Sequence, residues 1–246
     1  MYSILKKKFG QNFLIDKNII LKIVDLISKK NLNIIEIGPG DGRLTKFILN
    51  YDPICLKLIE IDPVLIPILN SKFSSEKNIK IVNKDILDYE FDEKIDLIIS
   101  NLPYNISSQI LSNICLIKSP PKKLILMFQK EFAERLIDKK RNSLNSLVEC
   151  FYDIKLSFKV SKKCFRPIPK VDSAVLVFTK KEKALINKNE INNFIEFKRN
   201  LFSHKRKSLS YSLKKFDLNE NEFNLKERVE NLSLSELLDI FRKVNL

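Results

Sequence analysis

Glycine is scarce in this chain, with four in 246 residues, and three of them fall within five positions: Gly38, Gly40 and Gly42. A residue so sparingly used, when clustered, marks a backbone that must turn tightly or admit a close neighbour. Histidine is scarcer still, with His204 alone, and Cys55, Cys115, Cys150 and Cys164 form no C-x-x-C pair. That pattern speaks against a structural zinc site and suits reduced thiols in a cytoplasm. No apolar run reaches the roughly 18 residues of a membrane helix, and "MYSILKKKFGQNF" has no signal-peptide core. The expectation is a soluble cytoplasmic protein, with no membrane partner and no metal.

Acidic residues are also few: 30 against 44 basic ones, a net charge of +14. Such an excess attracts polyanions, nucleic acid before membrane. Lysine is abundant, so no single lysine carries much weight. The length suits one large domain with a smaller one.

What is present is an alternation of strands and helices. "LNIIEI" (32–37), "ICLKLIEI" (54–61), "IKIVNKD" (79–85), "KIDLIIS" (94–100) and "KLILMFQ" (123–129) read as short apolar strands. Between or before them lie helical patterns: "DKNIILKIVDLISKK" (16–30) with Asp16 as N-cap, "GRLTKFILN", "PVLIPILNSKF" opened by Pro63, "SSQILSNIC" and "KEFAERLIDKK". Near-continuous apolar strands separated by helices predict a mostly parallel sheet covered on both faces. "DIKLSFKV" (153–160) and "SAVLVFTK" (173–180) lack a helix between them and predict an antiparallel edge. Beyond about residue 184 the pattern turns helical, with a capping-box pair at Ser233 and Glu236 before "LSELLDIFRKV". The predicted organisation is an α/β catalytic domain over 1–183 and a small all-α domain over 184–246.

The clustered glycines sit in "EIGPGDG", where the first strand ends and a helix begins. A glycine turn leading into a helix start offers close approach and free N–H groups to a nucleotide-like ligand. Such a loop is shared by dinucleotide enzymes and by other nucleotide binders. The second strand ends at Glu60, placed to hold ribose hydroxyls, and Asp85 follows the third, placed to accept from an adenine amino group. The fourth ends in Asn101-Leu102-Pro103-Tyr104. Successive strand tips share one crevice.

The last tetrad points to chemistry on an exocyclic amine. Its lone pair is conjugated with the ring, so two acceptors that hold its hydrogens favour rehybridisation. The Asn101 side-chain oxygen and the Leu102 carbonyl supply them. Pro103 restricts Leu102 to an extended conformation and so aims that carbonyl. Tyr104 supplies a face on which an unstacked base can lie.

With these residues in hand, the chain resembles the rRNA adenine N6,N6-dimethyltransferases, most closely their bacterial small-subunit (16S) branch. "KKKFGQNFLID" (6–16), "EIGPGDGRLT", "NLPYNISSQI", "FQKEFAERL" (128–136), "CFRPIPKVDSAV" (164–175) and "RNLFSHKRKSL" (199–209) carry the likeness along almost the whole sequence. The resemblance implies a Rossmann-like fold, S-adenosylmethionine as methyl donor and S-adenosylhomocysteine as product. It implies cofactor contacts at Asn12, Leu14, Gly38, Gly40, Glu60, Ile61, Asp85, Ile86 and Asn101. The target base would lie against Tyr104, with Phe165 on its other face. The implied substrate is 16S rRNA in the small ribosomal subunit or its precursor, at two adjacent adenosines of a hairpin loop near its 3′ end. Asp41 departs from the apolar or small residues common at its position.

Phosphate contacts are expected from the "HKRK" cluster, above all Lys205, Arg206 and Lys207, with Lys6–Lys8, Lys139–Arg141, Lys162 and Lys163 as further candidates. The expected state is a monomer. Three alternatives use the same residues: a 23S rRNA dimethyltransferase of the antibiotic-resistance type, a DNA adenine methyltransferase, and a ribosome-assembly factor that binds RNA without catalysis.

Overall fold

The computed structural model describes residues 12–91, 94–214, 216 and 225–244. The chain divides into two compact units, one of Met1–Ala133 with Ile154–Lys180, the other of Glu134–Asp153 with Lys181–Leu246. None of the described helices is long and apolar enough to cross a membrane.

In the first unit, β1 (Phe13–Leu14) leads into α1 (Lys17–Val24). Asp16 caps that helix as its position predicts, accepting from the N–H groups of Asn18 and Ile19 at 2.9 and 3.1 Å. Ile20, Ile23 and Val24, at helical spacing, are its buried side. The helix is shorter than the 16–30 expectation. A 3-10 turn takes over at Asp25, and Ser28 adopts a left-handed φ of 63°. Lys123 closes the end by donating to the Leu26 carbonyl.

The strands then follow: β2 (Asn33–Ile37), α2 (Arg43–Ile48), β3 (Cys55–Glu60), α3 (Ile66–Lys72), β4 (Ile79–Asn83), β5 (Leu97–Asn101), α4 (Ser107–Leu116) and β6 (Lys123–Gln129). Helix α3 starts three residues later than Pro63 suggests. The Asp62 carboxylate accepts from Val64 N–H at 3.1 Å, holding the preceding residues in a turn. Neighbouring pairs among β4, β3, β2, β5 and β6 are parallel. Along β2, β5 and β6 nearly every residue is buried, as expected of strands covered on both faces.

The remaining strands are β7 (Tyr152–Val160), β8 (Phe165–Arg166) and β9 (Ser173–Lys180). The sheet order is β4-β3-β2-β5-β6-β9-β7. Strand β9 lies antiparallel against β6, from Lys123 opposite Thr179 to Gln129 opposite Ser173. Strand β7 forms the sheet edge and alternates buried or half-buried with exposed residues. A separate antiparallel pair joins β1 to β8, with Phe13 opposite Arg166 and Leu14 opposite Phe165. Strand order reverses between β2 and β5, and an open α/β sheet presents its ligand crevice at such a reversal.

The second unit contains α6 (Ser143–Val148), α7 (Ile191–Ser203), α8 (Leu209–Leu213) and α9 (Leu234–Lys243), while α5 (Lys130–Leu136) follows β6. Phe194, Phe197 and Phe241 form its aromatic centre, with centroids 5.0 Å apart for Phe194–Phe241 and 5.5 Å for Phe197–Phe241. The expected capping box is present: Ser233 Oγ accepts from Glu236 N–H, and the Glu236 carboxylate accepts from Ser233 N–H at 2.7 Å. This unit takes in 134–153, which the 184–246 boundary left out. Lys198 Nζ donates to the Ser143 carbonyl at 3.0 Å, and Leu185 N–H to that of Cys150 at 2.9 Å. No shift of composition accompanies that recruitment; long-range hydrogen bonds effect it.

Candidate active site

A cleft opens at the carboxyl ends of β2, β3 and β5. Asn12, Phe13, Leu14, Glu36, Gly38, Pro39, Gly40, Asp41, Arg43, Leu44, Glu60, Ile61 and Asn101 to Tyr104 line it. The glycine turn and the Asn101 tetrad therefore face the same space. Register explains why: Glu36 lies opposite Ile99, which brings Gly38 level with Asn101. Ser100 fastens the two strand ends, its hydroxyl donating to the Ile37 carbonyl at 2.6 Å.

Two glycines in the turn have different reasons. Gly38 takes φ 64°, and a Cβ there would meet nothing within 4 Å, so the position leaves room on the cleft side. Gly40 takes φ 61°, and a Cβ there would approach the Phe13 ring to 2.7 Å. Only glycine suits either position without strain.

Glu60 holds the turn in place. One carboxylate oxygen accepts from Gly40 N–H at 3.1 Å, the other from Asp62 N–H at 2.9 Å. Each oxygen keeps a lone pair for a further donor such as a ribose hydroxyl. Burial raises its pKa, and the N–H groups of Asp62 and Gly40 partly counter that. Ile61, beside it, is 39 % exposed and offers an apolar surface.

Asn101 donates through Nδ2 to the Asn12 carbonyl at 2.8 Å. A carbonyl can only accept, so the amide nitrogen must face Asn12 and the oxygen is left as the acceptor end. Tyr104 is half-buried, and its hydroxyl shares a 2.6 Å hydrogen bond with Ser173 Oγ. Burial raises the phenol's pKa. Pro103 anchors the following turn, its carbonyl accepting from the Ser107 hydroxyl at 3.0 Å.

Asp85 and Ile86 do not line this cleft. Asp85 caps a 3-10 turn by accepting from Leu87 N–H at 2.9 Å, and Ile86 is buried. They stand beside Glu60, whose carbonyl accepts from Lys84 N–H and from the Asn83 amide.

Phe165 requires a correction. Its ring is fully buried in the hydrophobic core, and its backbone pairs with Leu14. It offers no open face to a base. The family resemblance placed it against the target base, whereas here the two-residue ladder with β1 holds it among core residues. Arg141 is another correction: its guanidinium pairs with Glu149 at 2.7 Å and is largely covered. Lys205, Arg206 and Lys207 are exposed in the turn after α7. Lys6–Lys8 lie outside the described residues.

Glu36 was missed by sequence reasoning. It is 1 % exposed, lines the cleft and accepts from the Thr45 hydroxyl at 2.6 Å. Burial, followed by repulsion from Glu60, pushes its pKa up to about 8 despite that hydrogen bond. The signal was available: Glu36 is the one acid in the strand "NIIEI" and interrupts its apolar residues Ile34, Ile35 and Ile37. Asp41, the residue that departs from the family pattern, is engaged by Arg43 Nε at 3.1 and 2.8 Å.

A family model described as ribosomal RNA adenine dimethylase matches residues 3–245. The chain belongs to this family. Its relatives include proteins named ribosomal RNA small subunit methyltransferase A. The one from Mycoplasmopsis pulmonis is 47% identical over 182 residues, covering 72% of this chain and 71% of the relative. That from a Sulfurihydrogenibium species is 38% identical over 248 residues, covering 96% and 95%. Among solved structures, a dimethyladenosine transferase from Plasmodium falciparum superposes with a TM-score of 0.79 at 26% identity, covering 93% of this chain and 95% of that one. The 23S rRNA methyltransferase ErmE superposes at 0.77 and 24% identity, a likeness of fold. The first unit thus has the Rossmann-like fold of S-adenosylmethionine-dependent methyltransferases.

Proposed function

We propose that this chain transfers methyl groups from S-adenosylmethionine to the N6 nitrogens of two adjacent adenosines, in a hairpin loop near the 3′ end of 16S rRNA. The product is N6,N6-dimethyladenosine, the setting ribosome biogenesis in the cytoplasm, and the working form a monomer. The observation that carries the reading is the shared cleft, in which the Asn101 tetrad faces the glycine turn.

The residues present fit the cofactor. The open space before Gly38, the remaining lone pairs of Glu60 and the apolar surface of Ile61 suit an adenosyl group with an attached amino acid. Asn12, Leu14, Gly38, Gly40, Glu60 and Ile61 would hold it, with Asp85 and Ile86 alongside. When bound, S-adenosylmethionine supplies an electrophilic methyl carbon on a positive sulfur.

The chain's own work is positioning. The Asn101 side-chain oxygen and the Leu102 carbonyl accept the two amine hydrogens and direct the nitrogen lone pair toward the donor. The Tyr104 ring stacks the extruded base. An alkylated amine cation is acidic enough to lose its proton to water, so no strong base is needed at the cleft. The second transfer requires exchange of spent cofactor while the pocket accommodates a monomethyl amine.

The test is incubation with radiolabelled S-adenosylmethionine and unmethylated small subunits, large-subunit rRNA or duplex DNA, followed by mapping of the modified nucleotide. Label on adjacent adenines of small-subunit rRNA is the expected result. Label confined to large-subunit rRNA or DNA would overturn the assignment, and rRNA binding without transfer would mark a non-catalytic assembly factor.

A further inference from the structure

Outside the cleft, the second unit carries an aromatic side chain in an unusual setting. Tyr211, on α8, is 44 % exposed. Lys207 Nζ lies 5.7 Å from its ring centroid and Lys214 Nζ 5.3 Å. The His204 ring meets it edge-on, with centroids 5.3 Å apart and planes at 88°. Asn200, Ser203, His204, Tyr211, Ser212 and Lys214 line a depression there. Between Asn200 and Lys214 the sequence holds Lys205, Arg206, Lys207 and Lys214 and no acid.

We infer that Tyr211 is a stacking platform for one unpaired nucleotide of the RNA substrate, whose flanking phosphates are held by Lys207 and Lys214. The inference rests on the RNA-directed reading above and assigns it a second contact, away from the base that reacts. A flat π-face is sequence-tolerant, because every base can stack on it. Each ammonium group lies over the ring; an arriving base displaces the one that covers its face by a side-chain rotation, toward the phosphates that accompany it. Lysine alone would bind any polyanion, and an exposed tyrosine alone would bind little. Their juxtaposition, with the amide of Asn200 and the hydroxyls of Ser203 and Ser212 at the margin, selects a single-stranded nucleotide over an acidic protein surface. An acidic peptide would satisfy the cations but leave the ring uncovered.

The experiment uses the full chain and two fluorescent probes: a single-stranded decamer of RNA and a decamer of the same backbone without bases. Tyr211→Ala is expected to weaken binding of the RNA decamer about tenfold while leaving its salt dependence unchanged. Tyr211→Trp should restore it, and the abasic decamer should not distinguish Tyr211→Ala from the natural chain. The double variant Lys207→Ala/Lys214→Ala should instead flatten the salt dependence for both probes. Equal affinity of Tyr211→Ala and the natural chain for the RNA decamer overturns the inference, as does an equal loss on the abasic probe. Neither result touches the methyl-transfer assay, whose failure would separately overturn the reaction assigned to the cleft.

Discussion

The side-chain amide of Asn101 donates to the backbone carbonyl of Asn12, 89 positions earlier in the chain, at 2.8 Å. The bond orients the amide so that its oxygen is the acceptor end. Asn101→Asp removes the donor and places a carboxylate against a carbonyl, so it should cost more than a lost contact. Loss of one preorganised polar group at a reacting centre typically costs about 10²–10³-fold in turnover. Asn101→Ala and Asn101→Asp are expected to fall by at least that much, with rRNA affinity largely retained. Initial rates alongside filter binding decide it; turnover near that of the natural chain excludes the role.

Gly38 and Gly40 share a left-handed backbone but differ in what surrounds them. Gly40→Ala drives a methyl into the Phe13 ring, at 2.7 Å. That clash adds to a backbone strain of about 1–2 kcal/mol, so the variant should unfold at clearly lower temperature. Gly38→Ala meets open space. It should carry the strain alone, yet weaken S-adenosylmethionine binding more than its stability loss accounts for. Calorimetric unfolding and titration of both variants make the comparison; equal effects on the two properties would contradict it.

Glu36 makes stability depend on pH. Burial pushes its pKa up to about 8 in the folded chain, from about 4.5 for a glutamate in water, so between those values the folded state keeps a proton that the unfolded state has lost. Stability from this group is intact below about pH 4.5 and declines as pH rises toward 8, by on the order of 5 kcal/mol at most. Glu36→Gln keeps an acceptor for Thr45 but cannot ionise. Urea unfolding at pH 5 and pH 8 should show a smaller loss for the variant than for the natural chain. Parallel curves would rule the effect out.

Tyr104 contributes a ring and a hydroxyl that can be separated. Tyr104→Phe loses only the hydrogen bond to Ser173 and should retain most activity. Tyr104→Ala loses the stacking face, worth roughly 1–3 kcal/mol per base, and kcat/KM should drop at least about tenfold. Equal impairment of the two variants would mean that the hydroxyl, not the ring, matters.

Neutralising Lys205, Arg206 and Lys207 together should weaken rRNA binding and reduce the slope of log affinity against log salt by about 2–3. An unchanged slope would remove these residues from the phosphate interface.

Legibility from sequence followed interaction range. The parallel strands, the Asp16 cap and the Ser233–Glu236 box depend on local pattern, and each stands within three residues of its expected place. The glycine turn and the Asn101 tetrad were legible because strand-end chemistry is written in adjacent residues. Partners distant in sequence were not: nothing near Tyr104 announces Ser173, and nothing near Phe165 announces the ladder that buries it. Helix α6 escaped notice for the same reason, since its six residues are too few to show a period and its first residue is tied to Lys198, 55 positions later.

The antiparallel strand β9 has a temporal implication. Ser173, which positions the Tyr104 hydroxyl, lies on the strand that zips against β6, and the cleft segment 13–14 pairs with 165–166. A nascent chain that has already displayed every glycine of the turn and the whole Asn101 tetrad still lacks both fastenings. Competence to hold a base should therefore arise late in synthesis, in a single closing event once residues near 180 have emerged, and a chain halted before 165 should carry the motifs without the pocket.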